Sequence, residues 1–382
     1  MCSTTLLCDS GVGGRGVICR EFTAAHASFR SGGIMSKRVI AAAGLAAALI
    51  FALAAPAANA SSGSPPLPVS TNGHKVQLVA SGLKTPTSFA FGDGRIFVGD
   101  GGNSEGSAPP NGGVYVLKNG TAVKIASPLV FVAGLAWHRG KLYISGAVLA
   151  NGRPSWQLMA WSGWNGATFT VRKTLYTAGG KFDGFNGIGF GADGRLYVGV
   201  DVGLTDGNDH GPASTSPYLY DILTFRANGT DLRVFATGIR QPWQMTFKPG
   251  SNAPFVTDLG QDTGATNPPD FILHVHAGDN YGFPTCNHTV AANCQGFTKP
   301  FRSFAPHTDL MGIAVQGRTL YLTSFMGPGA KGPGGEVFTL RLGSSMLKPL
   351  LTGFVAPVVG LGLNHGYVYV GELTGQVFRV RV

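Results

Sequence analysis

The chain has 382 residues, of which 13% are charged, 44% are hydrophobic and 58 are glycine. So little charge beside so much apolar side chain excludes a disordered protein. Glycines set among short Val, Phe, Tyr and Thr runs point to an all-β chain with tight turns, not to long amphipathic helices. The net charge of +10 is scattered, with no basic run interleaved with aromatics, so nucleic acid is not an expected partner.

Residues 1–34 do not read as the start of a signal, and an over-extended start with Met35 as the true first residue is expected. Residues 35–60 read as a signal peptide: Lys37 and Arg38 form a positive start, Val39 to Ala55 an apolar stretch, and Ala58-Asn59-Ala60 a small-residue cleavage site. The apolar stretch gives way too quickly to Ser61-Ser62-Gly63-Ser64-Pro65-Pro66 for a membrane span. The expected mature protein is therefore secreted, or held in the periplasm or cell envelope, after cleavage near Ala60. Residues 1–60 carry five of the 29 basic and two of the 19 acidic residues, leaving a net charge of +7 on the remainder. Residues 61–74 read as a linker.

From residue 75 to 382 one unit recurs six times. It has a small apolar strand, a turn into an aromatic-centred strand, and a third strand. The first copy is Thr87–Phe91, Arg95–Gly99 and Gly113–Leu117, and the second is Gly134–Trp137, Lys141–Ser145 and Gln157–Trp161. The third is Gly187–Phe190, Arg195–Gly199 and Tyr220–Phe225, and the fourth is Gln244–Phe247, Pro254–Thr257 and Phe271–Val275. The fifth is Gly312–Val315, Thr319–Thr323 and Glu336–Leu340, and the sixth is Gly360–Leu363, Tyr367–Gly371 and Gln376–Val380. More polar fourth strands follow, such as Thr121–Ala126, Phe169–Tyr176, Leu232–Thr237 and Leu347–Thr352. Four strands per unit and six units predict a six-bladed β-propeller. The sixth copy lacks a fourth strand, and Val76–Ser81 has that strand's character. The N-terminal strand is thus expected to close the ring and remove a free sheet edge.

Strand direction alternates within a blade, so the loop entering the first strand and the loop after the second share one face. On that face the sequence places Thr85 to Thr87, Asp183-Gly-Phe-Asn186, Arg240-Gln-Pro-Trp-Gln244, His307-Thr-Asp309 and Ala356-Pro357. It also places there Asp100-Gly-Gly-Asn103, Asp201, Asp258-Leu-Gly-Gln-Asp262 and Glu372. Carboxylates, amides, one Arg and one His would ring one channel mouth. Such a ring suits Ca²⁺ or a polar, hydroxylated or anionic ligand. Taken singly, a member can be a turn or blade-cap residue, and Asp100 and Asp258 are equally at home in that role. Cys286 and Cys294, an even pair eight positions apart, are expected to form a disulfide. His138, His274, His276 and His365 fall on strands or opposite-face turns and read as structural.

Three stretches carry a family resemblance. Ala236-Thr-Gly-Ile-Arg-Gln-Pro-Trp-Gln-Met-Thr-Phe247 resembles the Gly-x-Arg-Asn-Pro signature of the glucose/sorbosone dehydrogenases. Asp279-Asn-Tyr-Gly-Phe-Pro-Thr-Cys286 is similar to that family's Gly-Asn-Tyr-Gly-Trp-Pro segment. Asn186-Gly-Ile-Gly-Phe-Gly-Ala-Asp-Gly-Arg-Leu-Tyr197 resembles another of its hairpins. The resemblance implies a propeller that binds pyrroloquinoline quinone over the channel mouth with Ca²⁺ beside it, and that oxidises an aldose or related polyol. It implies Arg240, Gln241, Asn186 and Trp243 as cofactor-binding residues, and Asp258, Asp262 and Asp201 as metal ligands. Gln241 stands where the family has Asn. The family's base is a His in a His-x-x-Gly motif, and the matching position here is Asp183, or Phe185 with a two-residue deletion. Asp183 and His307 are therefore the expected catalytic residues, with His210 in a nearby loop as a lesser choice. A small sugar is the implied substrate, with an electron acceptor that the sequence does not identify.

Two other readings stay open. One is a non-catalytic extracellular propeller that binds carbohydrate. The other is a metal-dependent lactonase built on the channel carboxylates. Phosphate-loop, Rossmann and nucleophile-elbow motifs are absent.

Overall fold

The computed structural model describes residues 66–103, 111–178, 184–200, 217–261, 267–325 and 334–382. They form six antiparallel sheets arranged as the blades of a propeller. Blade 1 comprises Pro86–Gly92, Arg95–Asp100, Gly113–Lys118 and Thr121–Lys124. Blade 2 is the longest, with Leu129–His138, Lys141–Ala150, Arg153–Trp164 and Phe169–Thr177. Blade 3 comprises Phe185–Phe190, Arg195–Val200, Ile222–Arg226 and Arg233–Ala236, and blade 4 Pro242–Thr246, Phe255–Asp258, Asp270–His274 and Arg302–Phe304. Blade 5 comprises Leu310–Gln316, Thr319–Ser324, Glu336–Arg341 and Leu347–Thr352. Blade 6 has Val358–Asn364, Tyr367–Glu372 and Gln376–Arg381, and Gln77–Ala80 supplies its outer strand.

The expected ring closure is thus in place, with Leu78 opposite Phe378 and Ala80 opposite Val377. The chain before it is also anchored. Val69–Ser70 pairs with Thr352 and Leu351 and gives blade 5 a fifth strand. Among the described residues no helix is long and apolar enough to cross a membrane.

Alternation along each strand builds the core, because successive side chains face opposite neighbouring blades. In blade 1, Phe97 packs toward blade 2 with Leu142, Ile144 and Trp161. Val98, next in sequence, packs toward blade 6 with Tyr369 and Val377. Phe97 has Trp137, Trp164 and Phe169 within 5.6 Å, centroid to centroid. Each such fully buried large side chain contributes about 2–3 kcal/mol. His138 stacks on Phe190 at 4.0 Å and His274 on Phe255 at 4.3 Å, in keeping with structural roles.

Hydroxyls at the centre of the ring join blade to blade. Ser145 donates to the Asn186 carbonyl (2.6 Å), Thr257 to Met311 (2.8 Å) and Thr323 to Val359 (3.3 Å). Each sits on a second strand and reaches the next blade's inner strand. Thr87, itself on the inner strand of blade 1, reaches the Val132 carbonyl of blade 2, 2.7 Å away. These four hydroxyls of the crowded axis are thereby paired directly with backbone carbonyls. Close approach also needs small residues. A Cβ at Gly187 would lie 2.6 Å from the Trp243 carbonyl oxygen and 2.8 Å from Gln244 Cα.

Candidate active site at one mouth of the channel

A loop entering an inner strand arrives with backbone N–H groups that no strand can pair. In three blades the carboxylate ending the second strand takes them. Asp100 accepts from the N–H of Lys84, Thr85 and Gly102 at 2.9, 2.9 and 2.7 Å. Asp258 accepts from Gln241 at 2.7 Å and from Arg240. Glu372 accepts from Val355 and Ala356 at 2.9 and 2.8 Å, and from the Thr374 hydroxyl at 2.7 Å. The register is the same each time: Pro86 opposite Asp100, Pro242 opposite Asp258, Val358 opposite Glu372. Three carboxylates of the expected ring are therefore caps that aim the entering loops.

Arg240 and Gln241 are brought together on such a loop, each 4% exposed. The Arg240 Nη1 donates to the carbonyls of Leu259 and Gly260 (2.9 and 2.6 Å) and to Gln241 Oε1 (3.1 Å). The acceptors are held in turn by Asp270, a residue that sequence reasoning missed. Asp270 Oδ1 accepts from Gly260 N–H at 2.6 Å, and its Oδ2 accepts from Asp309 N–H at 2.7 Å. One buried carboxylate thus ties the mouth loop of blade 4 to the loop that brings His307 into blade 5. His307 is part-buried, with backbone φ of 58°, and its Nε2 is paired with the side chain of Asn267.

Burial pushes the Asp258 carboxyl up to about 7, against the pull of its N–H partners and Arg240. Burial likewise raises Asp270. Asp221, at the mouth end of blade 3, is raised to about 7 by burial alone. No pattern in the sequence marks these two additional acids, because both stand just ahead of, or at the start of, an ordinary third strand.

On the inner strands, one rung consists of Thr87, Ala133, Asn186, Trp243, Met311 and Val359, equivalent by register in the six blades. Trp243 packs on Met311 and Val359, with Leu259, Phe325 and Leu373 around them. Two donors on this rung lack an acceptor among the described residues: Asn186 Nδ2 and Trp243 Nε1 are buried there with no hydrogen-bond partner. They stand on adjacent strands, since Gly187 abuts the Trp243 backbone. One residue further in, Gln244 spans to blade 1, its Nε2 donating to the Thr87 carbonyl at 2.9 Å. The rung is thus an apolar floor with two unspent N–H groups over a closed neck.

Outward of Arg240, a cleft is lined by Asp258, Gln261, Phe271, Cys286, Asn287 and His288, with room for a water or one ion and not for a tricyclic cofactor. The expected disulfide joins Cys286 and Cys294 along one side. Of the other predicted site residues, Asp183, Asp201, Asp262 and His210 lie outside the described residues.

No protein-family profile and no curated protein matches the sequence. Solved structures do match in shape. A putative oxidoreductase (glucose dehydrogenase) from Thermus thermophilus is 19% identical, with a TM-score of 0.63 over 81% of this chain and 100% of that one. A PQQ-bound aldose sugar dehydrogenase from Streptomyces coelicolor is 15% identical, with a TM-score of 0.60 over 82% of this chain and 99% of that one. A Trichoderma reesei protein of carbohydrate-active enzyme family AA12 is 17% identical, with a TM-score of 0.63 over 85% and 100%. At these identities the likeness is one of architecture, and the chain shares with these sugar-dehydrogenase and carbohydrate-active structures the six-bladed propeller fold.

Proposed function

We propose that the chain is an exported, quinoprotein-like oxidoreductase that oxidises an aldose or related polyol with pyrroloquinoline quinone, with Ca²⁺ as the second cofactor. The observation that carries this reading is the pair of buried, unpartnered donors, Asn186 Nδ2 and Trp243 Nε1, on the rung beside Arg240 and Gln241. Buried donors left without acceptors cost about 1–3 kcal/mol each. An acceptor-rich, anionic, planar ligand would satisfy them while covering the apolar surface of Trp243, Met311 and Val359. The donor set therefore fits the quinone.

When bound, the quinone supplies a two-electron acceptor for the hydride leaving the sugar carbon. The chain's own part is to bind and orient it through Asn186, Trp243, Gln241 and Arg240, and to take the proton from the sugar hydroxyl. Asp183 and His307 are the proposed bases. Asp270 fixes where the His307 loop sits relative to Arg240. Asp262 and Asp201 are the proposed Ca²⁺ ligands, and Asp258, the third residue of the expected set, acts as a cap. Asp258 is already held by two backbone N–H groups, which suits a cap better than a calcium ligand, so no step is assigned to the ion.

A second reading is a carbohydrate-binding propeller without catalysis. It is favoured by Asp183 standing where the resemblance calls for His.

The test is quinone binding, followed by tryptophan fluorescence and calorimetry. Trp243→Phe keeps an aromatic face but deletes Nε1 and part of the apolar surface, so it should weaken binding by at least about 10-fold, the loss expected from one buried hydrogen bond. Arg240→Ala should weaken it further. Equal affinity for the chain and both variants would remove the quinone from the account.

A further inference from the structure

The loop that closes on the Arg240 cleft carries chemistry that the sugar reading leaves unused. Cys286, His288 and Cys294 bring two sulfurs and an imidazole nitrogen within 4.8 Å of one another. The loop is built to turn the imidazole inward. Asn287 Oδ1 accepts from the N–H and hydroxyl of Thr289 at 3.2 and 2.6 Å, which folds the chain tightly around His288. His288 itself adopts φ of 62°, a conformation that non-glycine residues rarely take without a reason. The ring lies edge-on to Phe271 at 4.9 Å, and neither ring nitrogen makes a hydrogen bond among the described residues. Cys286 and His288 both line the cleft, which has room for one ion.

Two thiolates and one neutral imidazole form a borderline-soft donor set, three ligands of a tetrahedral site with its fourth position open. With Zn–S bonds of about 2.3 Å, a tetrahedral site holds its sulfurs about 3.8 Å apart. The observed cluster accommodates that spacing once the sulfur–sulfur bond is broken. We propose that Cys286, His288 and Cys294 form a redox-gated Zn²⁺ site, closed as the disulfide and opened by reduction.

The chemistry balances. A dithiol reductant delivers two electrons and two protons, its own two thiols becoming a disulfide. The Cys286–Cys294 bond breaks and two thiols form. Zn²⁺ then displaces both thiol protons to solvent and takes two Zn–S bonds and one Zn–N bond. The ion and its two thiolates are neutral together, so the half-buried site gains no net charge. Gln261 lines the same cleft as Cys286 and His288, and its Oε1 accepts from Asn287 Nδ2 at 3.1 Å. Metal and disulfide exclude each other, so occupancy would report the surrounding thiol poise. The inference does not depend on the sugar reading.

The test titrates the whole chain with Zn²⁺ by calorimetry, first oxidised and then after phosphine reduction. Co²⁺ serves as a probe through its thiolate charge-transfer absorption. The reduced chain should bind a single Zn²⁺ and the oxidised chain none. His288→Ala should still show no free thiol when oxidised, yet bind Zn²⁺ at least about 10-fold more weakly when reduced, a loss that even outer contacts of a metal site can cause. The Cys286→Ser, Cys294→Ser double variant, whose melting curve shows whether the fold survives without the bridge, should not bind. The proposal is overturned if the reduced chain takes up no Zn²⁺, if His288→Ala binds as tightly, or if the oxidised chain binds equally well. It is also overturned if reduction abolishes the native melt and Zn²⁺ does not restore it.

Discussion

Gln244 of blade 4 donates from Nε2 to the Thr87 carbonyl of blade 1, on the opposite side of the ring, at 2.9 Å. Four other blades carry glycine at the position Gln244 occupies: Gly134, Gly187, Gly312 and Gly360. One long side chain thus fills the space that those glycines leave and closes the neck. Gln244→Met keeps the volume and removes the donor, leaving a buried carbonyl unpaired. It should destabilise the chain by about 1–3 kcal/mol, read from denaturant unfolding. An unchanged midpoint would mean that the Thr87 carbonyl finds another partner.

Gly187 is the position where blade 3 comes closest to the Trp243 backbone. The contacts of a new Cβ there are with backbone atoms that cannot swing aside. Gly187→Ala should cost about 1–3 kcal/mol by overpacking. It should also change the fluorescence of Trp243, because blade 4 must shift at that residue.

The buried acids set a pH dependence. Burial holds the Asp221 carboxyl at about 7, far above the ordinary aspartate range. The folded state therefore binds a proton that the unfolded state releases. The stability from this group is complete below pH 4 and is lost as pH rises through about 7. Asp258 and Asp270 act in the same direction. Asp231 acts oppositely: Arg233 and Arg195 hold it at about 2, so its contribution fails only as pH falls below 4. Melting temperature should fall from pH 4 to pH 7, and the fall should be smaller in Asp221→Asn. A melting temperature that rises over that interval would contradict the assignment.

Asp270 should couple the two loops that it holds. Asp270→Ala leaves the N–H groups of Gly260 and Asp309 without their acceptor. A loss of about 2–4 kcal/mol is expected, and both amides should exchange hydrogen faster together. Faster exchange at only one of them would show that the loops are held independently.

The architecture was legible in the sequence because it depends on local patterns. Arg95–Gly99, Lys141–Ser145 and Tyr367–Gly371 each read as the same second strand, and each is one. Val76–Ser81 read as a closing strand from its position and character, and Gln77–Ala80 pairs where expected. The fourth strand of blade 4, Arg302–Phe304, is only three residues long and follows a long loop with no repeat signal, so no local pattern marks it. The mouth was legible only as a set of residue types. Asp100, Asp258 and Glu372 could have been ligands or caps, and only backbone N–H directions distinguish the two. Gln244 and Thr87 are 157 residues apart, a pairing that no local pattern encodes. Asp221 and Asp270 are unusual for their burial, which a lone Asp ahead of an apolar strand does not announce.

The measurement that bears most directly on the proposed function is sugar-dependent dye reduction. The chain from Ser61 onward would be reconstituted with pyrroloquinoline quinone and Ca²⁺ and assayed across a panel of aldoses. The account predicts turnover with at least one aldose, lost in Arg240→Ala and reduced in Asp183→Asn or His307→Ala, whichever supplies the base. Failure to bind quinone at all would contradict it and leave a carbohydrate-binding propeller in its place.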